Sequence, residues 1–293
     1  MKPLAAFRAT LASALLSLLA AAPASARPLV TEPVAPLGRL MFETGFAASY
    51  RHDVFREPKM SYETVTLPFE AKLGITDRLD AGIQMSFLSQ RLDTPDARYS
   101  GSRSALFNPE LKYAFHDDFG LQFIYHVGIS EEGNQELSIA RGDDYEVKAL
   151  FHVPLVIPIE INLGYDFRND YFSSLGIRGG PKSRVNPSDI MEANAAAEFP
   201  LLWHVALLTE GAYYVVGKQR VDGVVQNGSN GTAADALVGL TWTNAGWSVG
   251  TGVAFGLLQE SHTSFDLERG AGDYQIRGRI SYRLKPRKPD VQE

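Results

Sequence analysis

A carboxylate and an ammonium group two residues apart recur three times in this chain, as Glu70/Lys72, Glu110/Lys112 and Glu146/Lys148. In an extended strand, residues i and i+2 point to the same side, so each pair puts both signs on one wall. Such walls can guide a polar or amphipathic solute, as rings of charge do in channels. They can equally neutralise each other as a ladder of salt bridges that fills a narrow barrel, and most of these charges are expected to do that, because paired opposite charges make poor ion selectors. Arg277 and Arg279 repeat the spacing with one sign, and His204 and Glu210 complete the candidate lumen-lining set.

Other chemistries are poorly supplied. Nucleophilic catalysis needs a Ser activated by a His that is oriented by a third polar group, and the one close pairing is His262-Thr263-Ser264 in a polar connection. A lipid hydrolase built on Ser264 is the least favoured reading, and the expectation is a protein that is not an enzyme. The six histidines, His52, His116, His126, His152, His204 and His262, are scattered without ligand spacing, so neither a metal nor a cofactor is expected. Arg141-Gly142-Asp143 is read as a chance tripeptide, and Asn227 to Gly231 as turn chemistry.

The elements that must position these charges are strands. Tyr274, Ile276, Gly278, Ile280 and Tyr282 alternate with Gln275, Arg277, Arg279, Ser281 and Arg283, giving one wall suited to hydrocarbon and one to water. Similar alternation predicts twelve strands at about 38–50, 61–75, 78–91, 105–116, 119–130, 144–153, 156–168, 189–199, 202–216, 232–243, 246–258 and 273–283. Short turns, such as Thr76-Asp77 and Asp117-Asp118, alternate with long polar connections at about 51–60, 92–104, 131–143, 169–188, 217–231 and 259–272. Long connections at one end, short turns at the other and both termini at the short-turn end describe an antiparallel up-and-down transmembrane β-barrel.

The beginning of the chain fits an exported barrel. Lys2 and Arg8 precede an uncharged Ala/Leu-rich run from Ala9 to Ala22 and the triplet Ala24-Ser25-Ala26, which predicts a signal peptide, residues 1–26, cut after Ala26. Residues 27–36 contain Pro28, Pro33 and Pro36 and cannot form a regular strand. They are expected either to hang in the periplasm or to fold into the barrel as a plug. The barrel then occupies residues 37–284, with a polar tail over 285–293.

Composition agrees. There is no cysteine, and loss of the signal peptide leaves 26 basic against 34 acidic residues, an acidic balance that argues against nucleic acid as a partner. Trp203, Trp242, Trp247, Phe119 and Tyr282 all sit beside short turns and are expected to form the periplasmic aromatic girdle.

Short stretches also resemble a known family. Arg27-Pro28-Leu29-Val30-Thr31-Glu32 followed by Gly38 to Gly45, then Leu73-Gly74-Ile75-Thr76-Asp77-Arg78-Leu79-Asp80, and more weakly Asn108-Pro109-Glu110-Leu111-Lys112-Tyr113, resemble the meta-pathway phenol-degradation or transporter-like outer-membrane β-barrel family. The resemblance implies a barrel that lets small hydrophobic or aromatic compounds cross the outer membrane, and it carries over no functional residues. One departure is the tail after Tyr282, where such barrels commonly end on an aromatic residue. The expected partners are outer-membrane lipid and lipopolysaccharide, the outer-membrane assembly machinery and a small-molecule solute. The competing expectation is a closed structural or surface-interaction barrel that works through its extracellular connections.

Overall fold

A backbone facing hydrocarbon must satisfy its own polar groups, and a sheet does so only by closing on itself. The computed structural model, which describes residues 29, 31–55, 60–128, 141–173, 182–226, 229–259 and 273–284, contains such a closed sheet. In chain order the strands are β1 (Phe42–Phe55), β2 (Met60–Gly74), β3 (Leu79–Asp93), β4 (Arg98–His116), β5 (Phe119–His126), β6 (Asp144–Val153), β7 (Ile159–Phe167), β8 (Tyr171–Ser173), β9 (Ser183–Asn186), β10 (Ile190–Pro200), β11 (Val205–Val216), β12 (Arg220–Val221), β13 (Val224–Val225), β14 (Gly231–Asn244), β15 (Trp247–Gln259) and β16 (Tyr274–Leu284). Twelve of them form an antiparallel barrel in which each barrel strand pairs with its chain neighbours. The seam closes between β1 and β16, with Thr44 opposite Tyr282 and Ser49 opposite Arg277.

The alternation has the expected consequence for side chains. Phe46, Phe69, Met85, Leu111, Phe123, Leu163, Val238, Leu240 and Ile276 are exposed on the outer wall. Glu43, Lys72, Asp80, Lys112, Glu146, Asn162 and Glu210 are buried inside. An apolar exterior around a polar interior inverts a soluble sandwich and is the arrangement of a transmembrane barrel. The expected fold class and the number of barrel strands are both observed.

Several sequence expectations need correction. The fourth barrel strand starts at Arg98 rather than 105 and the third runs to Asp93, so most of the connection expected at 92–104 is strand, and the first strand continues to Phe55 rather than ending at 50. The connections at 169–188 and 217–231 carry a four-stranded sheet in the order β13-β12-β9-β8, whose β12–β13 hairpin turns on Asp222 and Gly223, both at positive φ. That geometry is what an Asp-Gly hairpin turn requires. The ninth barrel strand starts at Val205 rather than 202, because Trp203 and His204 adopt φ of 47° and 69° in the preceding turn. The first starts at Phe42 rather than 38, because Gly38 to Met41 makes a turn in which the Met41 N–H donates to the Gly38 carbonyl at 3.1 Å.

Candidate functional site

The three Glu-x-Lys strands build their ion pairs through glycine. In register, Lys72 on β2, Gly82 on β3 and Glu110 on β4 form one row, and Lys148 on β6, Gly164 on β7 and Glu192 on β10 form another. A Cβ at Gly82 would stand 2.6 Å from Glu110 Oε1, and one at Gly164 would stand 2.5 Å from Glu192 Cγ. Each glutamate therefore lies flat over its neighbour's bare backbone and reaches the lysine one strand further on. Lys72 pairs with Glu110, and Lys148 pairs with Glu192 at 2.9 Å and with Glu146 at 3.0 Å. At the seam, Glu70 lies over Gly45 and pairs with Arg279, which also approaches Glu43 at 3.9 Å. These glycines were missed in the sequence; their signal is their place, in strand register, between an acid and a base.

Nine of the ten candidate lumen residues belong to the interior wall. Glu70, Lys72, Glu110, Lys112, Glu146, Lys148 and Arg279 are in the ion pairs of that wall. Glu210 and Arg277 border a void of about 10 Å³ together with Asp235, Leu237 and Ala254, room for about one water. His204 is the exception: it is exposed in the turn before β11, where its carbonyl accepts from the Thr243 N–H at 3.0 Å. It does not line the lumen, because the backbone reversal at Trp203–His204 keeps it out of the strand alternation.

The lumen holds a segment of the chain itself. Leu29 and residues 31–37 span it from one wall to the other. The Leu37 N–H donates to both Asp80 carboxylate oxygens, at 3.1 and 3.0 Å, beside the β2–β3 turn. The Val34 N–H donates to Glu160 at 3.3 Å, while the fully buried Val34 side chain packs with Ala114 and Leu150. Glu32 is clasped on both sides: its carboxylate meets Lys72 at 3.4 Å and Lys112 at 3.3 Å. Its backbone N–H and carbonyl lie 2.6 and 2.9 Å from the two ends of the Asn162 amide, and with the amide oxygen turned to the N–H and its nitrogen to the carbonyl both are hydrogen-bonded.

Lys112 fixes the prolines that follow, donating to the Pro33 carbonyl at 3.3 Å and the Ala35 carbonyl at 3.0 Å. At the far wall Glu210 accepts from the Leu29 N–H at 2.5 Å and from the Thr31 N–H at 2.9 Å. Leu29 itself packs on Ala196, Leu208, Leu237 and Ala254. Backbone donors that a proline-rich segment cannot place in a sheet are thus satisfied by side chains from β3, β7 and β11.

The segment also reveals two kinds of interior wall. Lys72, Lys112 and their acidic partners make one side ionic, whereas Ala196, Leu208, Leu237 and Ala254 on β10, β11, β14 and β15 make a small apolar patch opposite. An amphipathic object with an anionic group at one end and an aliphatic group at the other satisfies both, and Glu32 and Leu29 provide those ends. At the short-turn rim the aromatic residues touch in pairs: Trp247 with Tyr282 at 4.6 Å, Phe115 with Phe119 at 5.6 Å and Phe119 with Phe151 at 5.3 Å between ring centroids. Trp203 is exposed in its turn, and Trp242 is opposite Val205. The other described histidines each meet a separate carboxylate: His52 with Glu63 at 3.7 Å, His116 with Asp118 at 3.6 Å, His126 with Glu146 at 3.2 Å and His152 with Glu160 at 2.7 Å. The His262/Ser264 pairing, the signal peptide and the tail lie outside the described residues.

No family model matches the chain, and no curated protein does. Among solved structures, the chain is similar to an outer-membrane channel from Pseudomonas putida F1, at 13% identity over 86% of this chain and 98% of the other, with a TM-score of 0.65. It is also similar to the translocator domain of the autotransporter NalP from Neisseria meningitidis, at 13% identity over 85% of this chain and 88% of the other, with a TM-score of 0.54. At these identities the likeness is one of fold, and it is to barrels of the outer membrane.

Proposed function

We propose that this chain is an outer-membrane channel for small amphipathic molecules, closed by residues 29–37 and opened when that segment leaves the lumen. The observation that carries the reading is that the segment occupies the lumen as a solute would, with Glu32 between Lys72 and Lys112 and Leu29 on the apolar patch. Removing it would leave a cationic station facing an aliphatic one, a wall suited to a carboxylate or phenolate attached to a hydrophobic body. The name of the channel from Pseudomonas putida F1 is consistent with transport. The resemblance to the phenol-degradation family rests on short motifs, and it supports an aromatic solute. The exported outer-membrane location, the signal peptide and assistance from the outer-membrane assembly machinery belong to the same reading.

The test is flux into liposomes carrying the refolded mature protein, compared with a form lacking residues 27–36 and with Glu210→Ala. An aromatic acid, a neutral aromatic and a sugar serve as solutes. The deletion and Glu210→Ala are expected to raise flux several-fold, most for the aromatic acid. Unchanged flux in both, from protein shown to be folded, would sink the channel reading. The alternative is then a closed barrel working through its outer connections, a reading to which the ordered sheet of β8, β9, β12 and β13 lends support.

A further inference from the structure

At the long-connection end, a groove of about 500 Å³ lies on the outside of the barrel, below the sheet of β8, β9, β12 and β13. Its apolar side is a single row across three neighbouring strands: Tyr165 on β7 is opposite Met191 on β10, which is opposite Val215 on β11. All three alternate with interior residues such as Asp166, Glu192 and Tyr214, so the row belongs to the outward wall. The other side carries Lys218 and Arg220. Both are exposed, and among the described residues neither has an ion-pair partner, whereas nearby Arg184 pairs with Asp170 and Arg168 with Asp144. Asp189 also lies in the groove, but its oxygens already accept from the Tyr165 hydroxyl at 2.8 Å and the Arg168 N–H at 3.0 Å.

An apolar row on a hydrocarbon-facing wall, capped by two unspent cations, matches the two halves of an anionic amphiphile. We propose that this groove binds a phosphorylated acyl lipid of the outer leaflet, with acyl chains along Tyr165, Met191 and Val215 and a phosphate against Lys218 and Arg220. A soluble anion would leave the apolar row unused, and a neutral lipid would leave the cations unused. Phosphate suits the pair because charge-assisted bonds to its oxygens are among the strongest available. The proposal holds whether or not the lumen conducts.

The experiment titrates the mature protein in neutral-lipid nanodiscs with a bis-phosphorylated acylated disaccharide, its dephosphorylated counterpart and inorganic phosphate, reading bound lipid by native mass spectrometry. The phosphorylated lipid is expected to bind, and to bind roughly thirty-fold more weakly to Lys218→Ala/Arg220→Ala, the effect of two cations near a charged surface. Met191→Asn, which keeps both cations, is expected to weaken the lipid and leave weak phosphate binding untouched. Lys218→Ala alone, outside any strand, gives the same readout at roughly five-fold if the double variant folds poorly. Equal affinity for the dephosphorylated lipid, unchanged affinity in the cation variants, or displacement by equimolar inorganic phosphate would each overturn the proposal.

Discussion

Glycine does the work at the residue scale that a charged residue is usually credited with. Gly82 and Gly164 let Glu110 and Glu192 lie across a strand and reach a lysine two strands away. Overpacking such a place costs about 1 to 3 kcal/mol, so Gly164→Val is expected to lower the urea midpoint of the refolded barrel while Leu163→Val, on the outer wall, leaves it nearly unchanged. Glu32→Gln tests the lumen clasp itself: it keeps the shape but removes the charge held between Lys72 and Lys112. Its expected result is more frequent opening in single-channel recordings with no change in unfolding midpoint. The Glu-x-Lys spacing was legible in the sequence because period 2 is a property of any strand. The glycine rows were not, because they exist only once strand register is known.

Among the elements, the twelve barrel strands were legible in number and order, since alternation and turn chemistry both act over a few neighbours, while their ends were displaced by up to seven residues, as at β4. β6 runs from Asp144 to Val153 as expected. The sheet of β8, β9, β12 and β13 was not legible, because its strands are two to four residues long and pair across two connections distant in sequence. His204 was misplaced for a related reason, a left-handed turn that no residue type there announces.

This small sheet is held by two acids. The Asn186 amide and then the Arg184 guanidinium keep the Asp170 carboxyl below its usual range, and the Arg184 N–H with the Ser183 hydroxyl does the same for Asp222. Both folded values are depressed, so their support is present above the ordinary carboxylate range near pH ~4 and is lost as pH falls through the folded values. Hydrogen exchange, corrected for intrinsic rate, is therefore expected to show Tyr171 and Val185 protected at pH 6 and much less protected near pH 2 to 3, while β14 amides stay protected. Equal loss in β14 would mean that the barrel, and not this sheet, is acid-sensitive.

For the whole molecule, the closure of β1 on β16 gathers charge around the buried Glu43 carboxylate. Arg279 meets Glu70 and Glu43, and Arg283 meets Glu43 at 2.9 Å. Truncating one partner of a partly buried pair leaves the other poorly compensated, at about 1 to 3 kcal/mol. Arg279→Ala is accordingly expected to destabilise the barrel by about that amount in urea titration, and Arg279→Ala with Glu70→Ala by less than either loss would suggest. If the two single losses simply add in the double variant, the pair is not coupled across the seam.

The segment at residues 29–37 has a consequence in time. It precedes every strand, yet the groups that hold its first residues are on β11, with Leu29 and Thr31 bonded to Glu210 across sequence separations of 181 and 179. Contacts between such remote positions form late, after the loop-closure entropy of the intervening chain has been met. The wall must therefore be largely built before its occupant can settle, so a newly closed barrel passes through an unoccupied stage. Refolding followed by fluorescence at the rim tryptophans and by permeability in parallel is expected to show structure first and sealing second, a brief leak at the birth of every copy.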